Sequence, residues 1–289
     1  RILPALFLIM ICCIPAAFFF MTPSELKDFG LSLAATSLFG SNILFWQDSG
    51  YFAGPNELKP LLHTWSLAVE EQYYLFFPVF LMAVWRFGLK WILSILIVLG
   101  ILSLLISHWA AFNAPVANFY LLPTRGWELL LGVFAAFYIL FNNYSFKFAS
   151  PIINEMAGVI GILLIAFSIF SFNEFTPFPS FWALIPTVGT VLIILFATPQ
   201  TLVGKFLSFK FIVSIGLISY SLYLWHQPIF VFARMYSSED LSSFSYIVLI
   251  FISFLLAYMS WQYVEKIFRD KNRISRNKIF ISSILGSIL

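Results

Sequence analysis

The chain has 289 residues, 61% of them apolar, 20% aromatic and only 10% charged, against about 25% charged in an ordinary soluble domain. This excludes a soluble enzyme and predicts an all-α fold: a polytopic integral membrane helical bundle with nearly every residue in or at the bilayer. The formal net charge is only +3 and the basic residues follow topology rather than a patch, so nucleic-acid binding is not indicated.

Apolar runs predict eight complete transmembrane helices, over residues 2–21, 66–85, 91–109, 120–141, 152–170, 181–197, 211–234 and 246–264, and the start of a ninth at Ile279. Inside the first run, Cys12 and Cys13 are adjacent; they suit neither a bridge nor a metal site and read as packing residues. After it, Thr22-Pro23-Ser24-Glu25 reads as a capping box with Pro at the first helical position, followed by an apolar face at Leu26, Phe29, Leu33 and Phe39. That pattern predicts a helix lying along the membrane interface, then a polar loop around Asp48-Ser49-Gly50 and Gly54-Pro55-Asn56. In the fifth run, Ala157 and Gly161 form a small-xxx-small pair suited to close helix packing.

Short connections alternate between the two sides of the membrane. Twelve of the sixteen basic residues then fall on one side: Arg1, Arg86, Lys90, Lys147, Lys205, Lys210, Lys266, Arg269, Lys271, Arg273, Arg276 and Lys278. The positive-inside rule makes that side cytoplasmic and puts the long 22–62 stretch outside. The chain opens on Arg1 without an initiator Met or a signal-peptide pattern and stops in an apolar run worth only about 16 Å of helix, so a piece of a longer protein is expected.

Orientation turns scattered polar residues into a map. Glu70 and Glu71 sit at the outer end of the second span with His63 just before them, and Glu70 shares a helix face with Tyr74. Arg125 and Glu128 lie one turn apart in a helix entering from outside, with Arg125 about 7 Å below its outer end. In the seventh span Ser219, Tyr223 and His226 fall on one face, and His226 comes about 22 Å up from Phe211, in the outer third. Each has a plainer reading. Glu70 or Glu71 suits a helix N-terminus, Arg125 with Glu128 suits an intramembrane ion pair, and His226 suits a carbonyl freed by Pro228. His108, beside Trp109 at an outer helix end, reads as an interface residue. The shared depth favours the functional reading, an outward-opening cavity, because ionisable groups at membrane depth are costly to keep idle.

Four blocks in this order carry a resemblance: the segment from His63-Thr64-Trp65-Ser66 through Val69-Glu70-Glu71-Gln72-Tyr73-Tyr74; Arg125-Gly126-Trp127-Glu128-Leu129-Leu130-Leu131-Gly132; the segment from Ile218-Ser219-Tyr220-Ser221 through Trp225-His226-Gln227-Pro228-Ile229; and Val264-Glu265-Lys266-Ile267-Phe268-Arg269. Together they resemble the bacterial membrane acyltransferase 3 family, which includes O-antigen and peptidoglycan O-acetyltransferases.

The resemblance implies a ten-helix core that takes an acyl group, commonly acetyl from acetyl-CoA, on the cytoplasmic side of the inner membrane and delivers it to a cell-surface glycan outside. Lipopolysaccharide, capsule, peptidoglycan and secreted oligosaccharide all remain open as acceptors. It implies that residues 1–278 are the acyltransferase domain without its first two helices and that 279–289 begin an eleventh helix, which in many members leads to a fused SGNH-type domain. The family's first helix pairs a basic residue with a histidine eleven positions later; here Phe52, Ile97 and Ile215 occupy the positions eleven before His63, His108 and His226. The piece alone is therefore expected to be inactive.

In this reading no cofactor or metal is held and acyl-CoA is the donor substrate, its phosphates near Arg1. Glu70, Glu71 or His226 serves as base, and Arg125 or Tyr223 stabilises the oxyanion, with His63, Glu128 and Ser219 completing the substrate site. The rival class is a transporter or flippase for a lipid-linked sugar or ion, which would favour paired broken helices in inverted repeats; no matching pair is seen.

Overall fold

The computed structural model describes residues 2–49, 56–141, 150–237 and 241–269, and all regular structure among them is helical. In chain order the helices are α1 (Leu3–Phe20), α2 (Pro23–Ser37), α3 (Ser41–Gln47), α4 (Thr64–Val84), α5 (Leu89–Asn113), α6 (Pro115–Tyr120), α7 (Leu122–Phe141), α8 (Pro151–Ser171), α9 (Leu184–Phe196), α10 (Leu202–Leu207), α11 (Lys210–Tyr236), α12 (Ser243–Ser260) and α13 (Lys266–Arg269), the last two joined by a π-helical turn, Trp261–Glu265. Arg1 and the run from Ile279 lie outside the described residues, as does much of the Gly50–Asn56 loop.

Among the described residues, six helices are long and apolar enough to cross a bilayer: Leu3–Phe20, Thr64–Phe87, Leu89–Asn113, Pro115–Phe141, Pro151–Ser171 and Ser243–Arg269. The other two expected spans are helical where the sequence places them but do not meet that standard. Phe181–Phe196 is worth only about 24 Å of helix against a core of about 30 Å. The 27-residue α11 has the length, but its serines, tyrosines, Gln227 and His226 dilute its apolar character.

Boundaries differ for local reasons. The helix expected from Tyr120 is broken at Leu121, which is extended, and restarts at Leu122. Pro123 has no N–H and is tolerated in a helix's first turn, so α7 begins beside it rather than running through it. Ser103 Oγ sits at this start: it donates to Pro123 O at 2.6 Å and accepts from Trp127 N at 3.1 Å.

The chain divides into two units, residues 1–71 with 214–289 and residues 72–213. In the first, Leu6, Ile9 and Cys13 of α1 are buried with Phe29 of α2, Leu61, Leu67 of α4 and Leu224 of α11. Cys13 is thus a packing residue as expected, while its neighbour Cys12 is exposed. The capping box forms as read: Glu25 N donates to Thr22 Oγ1, and Thr22 N donates to Glu25 Oε2 at 2.8 Å. The same helix turns Phe29, Leu26 and Leu33 onto the core.

In the second unit Ile92, Leu96 and Leu130 pack with Phe77, Phe80 and Phe134 of α4 and α7. Helices α8 and α9 meet backbone to backbone. A Cβ at Gly161 would stand 2.7 Å from Gly189 O, and one at Gly189 would stand 2.8 Å from Gly161 O. The packing read for Gly161 is present, with Gly189 as the partner the sequence pattern did not supply.

Candidate functional site

The first unit brings three of the predicted residues, His63, Tyr223 and His226, together at the N-terminal end of α4. Thr64 fixes the approach: its hydroxyl lies 2.7 Å from Leu61 O, 3.0 Å from Thr36 Oγ1 and 3.1 Å from Ser41 Oγ, all buried. This ties the turn carrying His63 to α2 and α3. From α11, Tyr223 donates a hydrogen bond to His63 O and lies 3.0 Å from Ser66 Oγ. With its one proton committed to the carbonyl, the Tyr223 oxygen accepts from Ser66. The phenol thereby clamps the start of α4 against α11 and has no proton left for an oxyanion.

The two imidazoles meet inside this clamp. The His63 ring centroid lies 5.4 Å from that of His226, the planes crossing at 70°, and 5.0 Å from the Tyr223 ring. His226 Nδ1 lies 2.6 Å from Tyr223 O. A carbonyl only accepts, so Nδ1 carries the proton and Nε2 of the neutral ring carries the lone pair. His226 is thus oriented by its own helix as a base through Nε2.

His63 is the opposite case. It is only 9% exposed, and neither ring nitrogen has a hydrogen-bond partner among the described residues. Burial pulls its pKa down to about 3, and the neighbouring His226 adds to that effect. The backbone of Leu224 and Pro60 lies near enough to favour a proton slightly, but neither contact has hydrogen-bond geometry. Leu224 is the residue whose carbonyl loses its helical partner to Pro228, so the proline leaves a polar group beside the ring. At neutral pH His63 is an uncharged imidazole with both nitrogens open.

Glu70 and Glu71 belong to the same unit and follow within the next two turns of α4, Glu70 about 6 Å further along the axis than Ser66. Ser219 shares the α11 face of Tyr223 but is exposed and bonds its own helix at Gly216 O, 2.8 Å away. Arg1 lies outside the described residues.

Sequence reasoning missed two arrangements in this unit. Glu265, 5% exposed in the π-helical turn, accepts a bond from buried Ser221 on α11. Its signals were a carboxylate ending an apolar run and its place in the fourth block of the resemblance, and π turns recur at functional places. The other is the turn before His63: Lys59 is paired with Asp48, and its carbonyl lies 3.4 Å from Gln227 Nε2, next to His226.

The second unit holds the other predicted pair. Arg125 Nη2 lies 2.9 Å from Glu128 Oε2, both side chains mostly buried, and the Arg125 guanidinium sits 5.8 Å from the Phe119 ring centre. Glu128 Oε1 has no partner among the described residues. His108 stacks on Phe181 with centroids 4.0 Å apart.

Residues 1–261 match the acyltransferase 3 family, whose match is described as an acyltransferase domain. The chain is 30% identical to the peptidoglycan O-acetyltransferase OatA of Listeria monocytogenes, over 97% of this chain and 46% of that protein. It is 29% identical to the O-acetyltransferase OatA of Staphylococcus aureus, over 94% of this chain and 46% of that one. A putative O-acetyltransferase of S. aureus strain COL is 28% identical over the same shares. The chain thus spans about half the length of the curated relatives it matches, and no solved structure matches it. The blocks around His63, Arg125 and His226, the membrane-length apolar helices and a family match across most of the sequence lead to one conclusion: this multi-pass membrane protein belongs to the acyltransferase 3 family.

Proposed function

We propose that this chain is the membrane domain of an O-acyltransferase that moves an acetyl group from acyl-CoA on the cytoplasmic side of the inner membrane to a hydroxyl of a cell-surface glycan outside. Peptidoglycan is the first candidate acceptor, because a relative carries that substrate in its name. The supporting observation is the outer imidazole pair: His226 with Nε2 presented as a base and, 5.4 Å away, a buried neutral His63 with open nitrogens. The inside–outside assignment rests on the distribution of basic residues, and the topology proposed with it has eight crossings, α11 and Phe181–Phe196 included.

In the outer half-reaction the glycan O–H gives its proton to His226 Nε2, and its oxygen attacks the acyl carbonyl. The tetrahedral adduct then collapses to the new ester, and the leaving group, the coenzyme A thiol in direct transfer or an enzyme side chain in an acyl-enzyme, takes the proton back from His226. Unprotonated His63 is suited to accept a hydrogen bond from the sugar without bringing a charge. Glu70 and Glu71 supply carboxylates for the imidazolium. Arg125 and Glu128 are proposed as substrate-binding residues of the second unit, Ser219 as a further contact, Arg1 as a ligand of the coenzyme phosphates, and an SGNH-type domain as a fused partner.

The test uses the full-length gene product. His226→Ala should lower acetylation of cell-wall glycan, read by mass, by about 10²–10⁴-fold, the usual worth of a general base. Glu71→Gln should lower it less. Undiminished acetylation in both variants at equal protein level would end this reading.

A further inference from the structure

Two cavities next to the turn that carries His63 share Asp28, Ser32 and Asp48 and so form two lobes of one cleft, of about 70 Å³ and about 230 Å³. Lys59 and Pro60 line the smaller lobe with Glu25, and Gln47 lines the larger. The walls alternate acceptors and donors: carboxylates from Asp28 and Asp48, the Gln47 amide, the Ser32 hydroxyl and the Lys59 ammonium. Glu25 is occupied by its capping box, and Lys59 and Asp48 bond each other. Asp28 and Gln47 are exposed, and neither side chain has a hydrogen bond or ion pair among the described residues.

From the geometry we infer that this cleft holds the acceptor saccharide, and that it selects a neutral or amino-bearing sugar over an anionic one. This rests on the acyltransferase reading above and adds to it the place and charge of the acceptor. Three features carry it. The cleft is built on the 22–62 stretch that the basic-residue bias puts outside the membrane, where a glycan is met. Its wall adjoins the turn that carries the reactive pair, although neither imidazole lines it: Lys59 lies four residues from His63, which caps their separation at about 14 Å, and less in a turn. The Gln227 amide beside His226 bonds the Lys59 carbonyl. A saccharide seated on Asp28, Gln47 and Lys59 is thus held next to the segment that carries His63. The third feature is charge. Glu25, Asp28 and Asp48 face one cation, Lys59, so sugar hydroxyls or ammonium groups are favoured as donors and a uronate is repelled.

The experiment takes purified full-length protein in lipid vesicles with acetyl-CoA supplied. The acceptors are an N-acetylglucosamine oligomer, its partly de-N-acetylated cationic form, and an oligogalacturonate. Saccharide binding is read separately by saturation-transfer NMR. Asp28→Asn should raise KM for the neutral acceptor about tenfold, the loss of one charge-assisted hydrogen bond, with kcat within about twofold. It should also narrow the preference over the uronate. Gln47→Ala should raise KM by a smaller factor in the same direction. Both side chains are exposed, so neither change strains the fold. If wild-type protein transfers acetyl and neither variant alters KM or acceptor preference, the cleft assignment is overturned. If wild-type protein transfers nothing but binds the oligomer in an Asp28-dependent way, the cleft assignment stands and the acyltransferase reading falls. Binding that is absent, or indifferent to Asp28, overturns the assignment whatever the transfer result.

Discussion

The two units treat their central polar groups differently. In the second, Glu128 holds Arg125 through Oε2, and Asn118 holds Pro179 O through Nδ2 at 2.6 Å, although Tyr73 Oη and Trp127 Nε1 are buried there without a hydrogen-bond partner among the described residues. In the first, the backbone around His63 is tied by Tyr223, Ser66 and Thr64 while both ring nitrogens lack a partner. An unsatisfied buried polar group costs about 1–3 kcal/mol, so a fold retains one where something else is gained. The difference is one between two charges that satisfy each other, Arg125 and Glu128, and a titratable ring, His63, held in place without a hydrogen bond of its own.

The comparison breaks most visibly at Gly161. Replacing Gly by Ala in a helix ordinarily stabilises by about 1 kcal/mol through propensity alone. At Gly161 the new methyl would meet Gly189 O at 2.7 Å and Ile193 Cγ1 at 2.8 Å, and a backbone carbonyl cannot turn aside. Gly161→Ala should therefore lose about 1–3 kcal/mol net, read as a lower unfolding temperature in detergent. Acetylation per folded molecule should stay unchanged. A variant as stable as wild type would show that α8 and α9 do not pack through these glycines.

What could be read in advance was whatever is local. The capping box at Thr22 and Glu25 lies within four residues, and the apolar runs announce their own length. The face of Tyr223 and His226 follows from helical spacing. Ser219 obeys the same spacing yet bonds Gly216, because a serine hydroxyl can satisfy itself on its own helix. What was not legible joins distant stretches. The Tyr223 bond to His63 spans 160 residues and the Ser221 bond to Glu265 spans 44, and no periodicity encodes either. The cleft was hidden for the same reason: Asp28 and Gln47 look like solvated helix residues until α2 and α3 are folded beside Lys59. Pro123 does carry the signal for the break at Leu121, but the apolar residues on both sides of it, Tyr120 to Leu122 and Leu129 to Phe141, read as one span.

A smaller effect sharpens the contrast through pH. The pKa of His63 is pulled down to about 3 by burial and by His226, whereas an unfolded histidine titrates near 6.5. Between those values the unfolded chain binds the extra proton. The stability from burying a neutral His63 is thus fully present above about pH 6.5 and is lost as pH falls toward about 3, with a limiting slope near 1.4 kcal/mol per pH unit. From pH 7 to pH 5 the wild-type protein should lose about 2 kcal/mol more than His63→Gln, measured by denaturation in detergent. Equal losses would mean that His63 is already hydrated or hydrogen-bonded and that the imidazole pair is not dry.

The smallest effect lies in the second unit, where a charge is fully employed. Glu155 on α8 accepts from Leu202 N through both oxygens, at 3.1 and 3.0 Å, beside the Thr201 hydroxyl that receives Gly204 N at 3.0 Å. The carboxylate satisfies an orphan donor at the start of α10, supplementing the Thr201 cap, and does so at an exposed position. Glu155→Gln keeps an acceptor oxygen and removes only the charge, so it should cost about 0.5 kcal/mol and leave glycan acetylation untouched. Thr201→Ala removes the cap itself and should cost about 1 kcal/mol. Because the two act on one helix end, the double variant should fall short of the sum of the single losses. Simple additivity would mean that the two caps act on this helix end without coupling. A loss of acetylation in either variant, out of proportion to stability, would mean that the second unit also carries reactive chemistry and that the division between the two units is drawn in the wrong place.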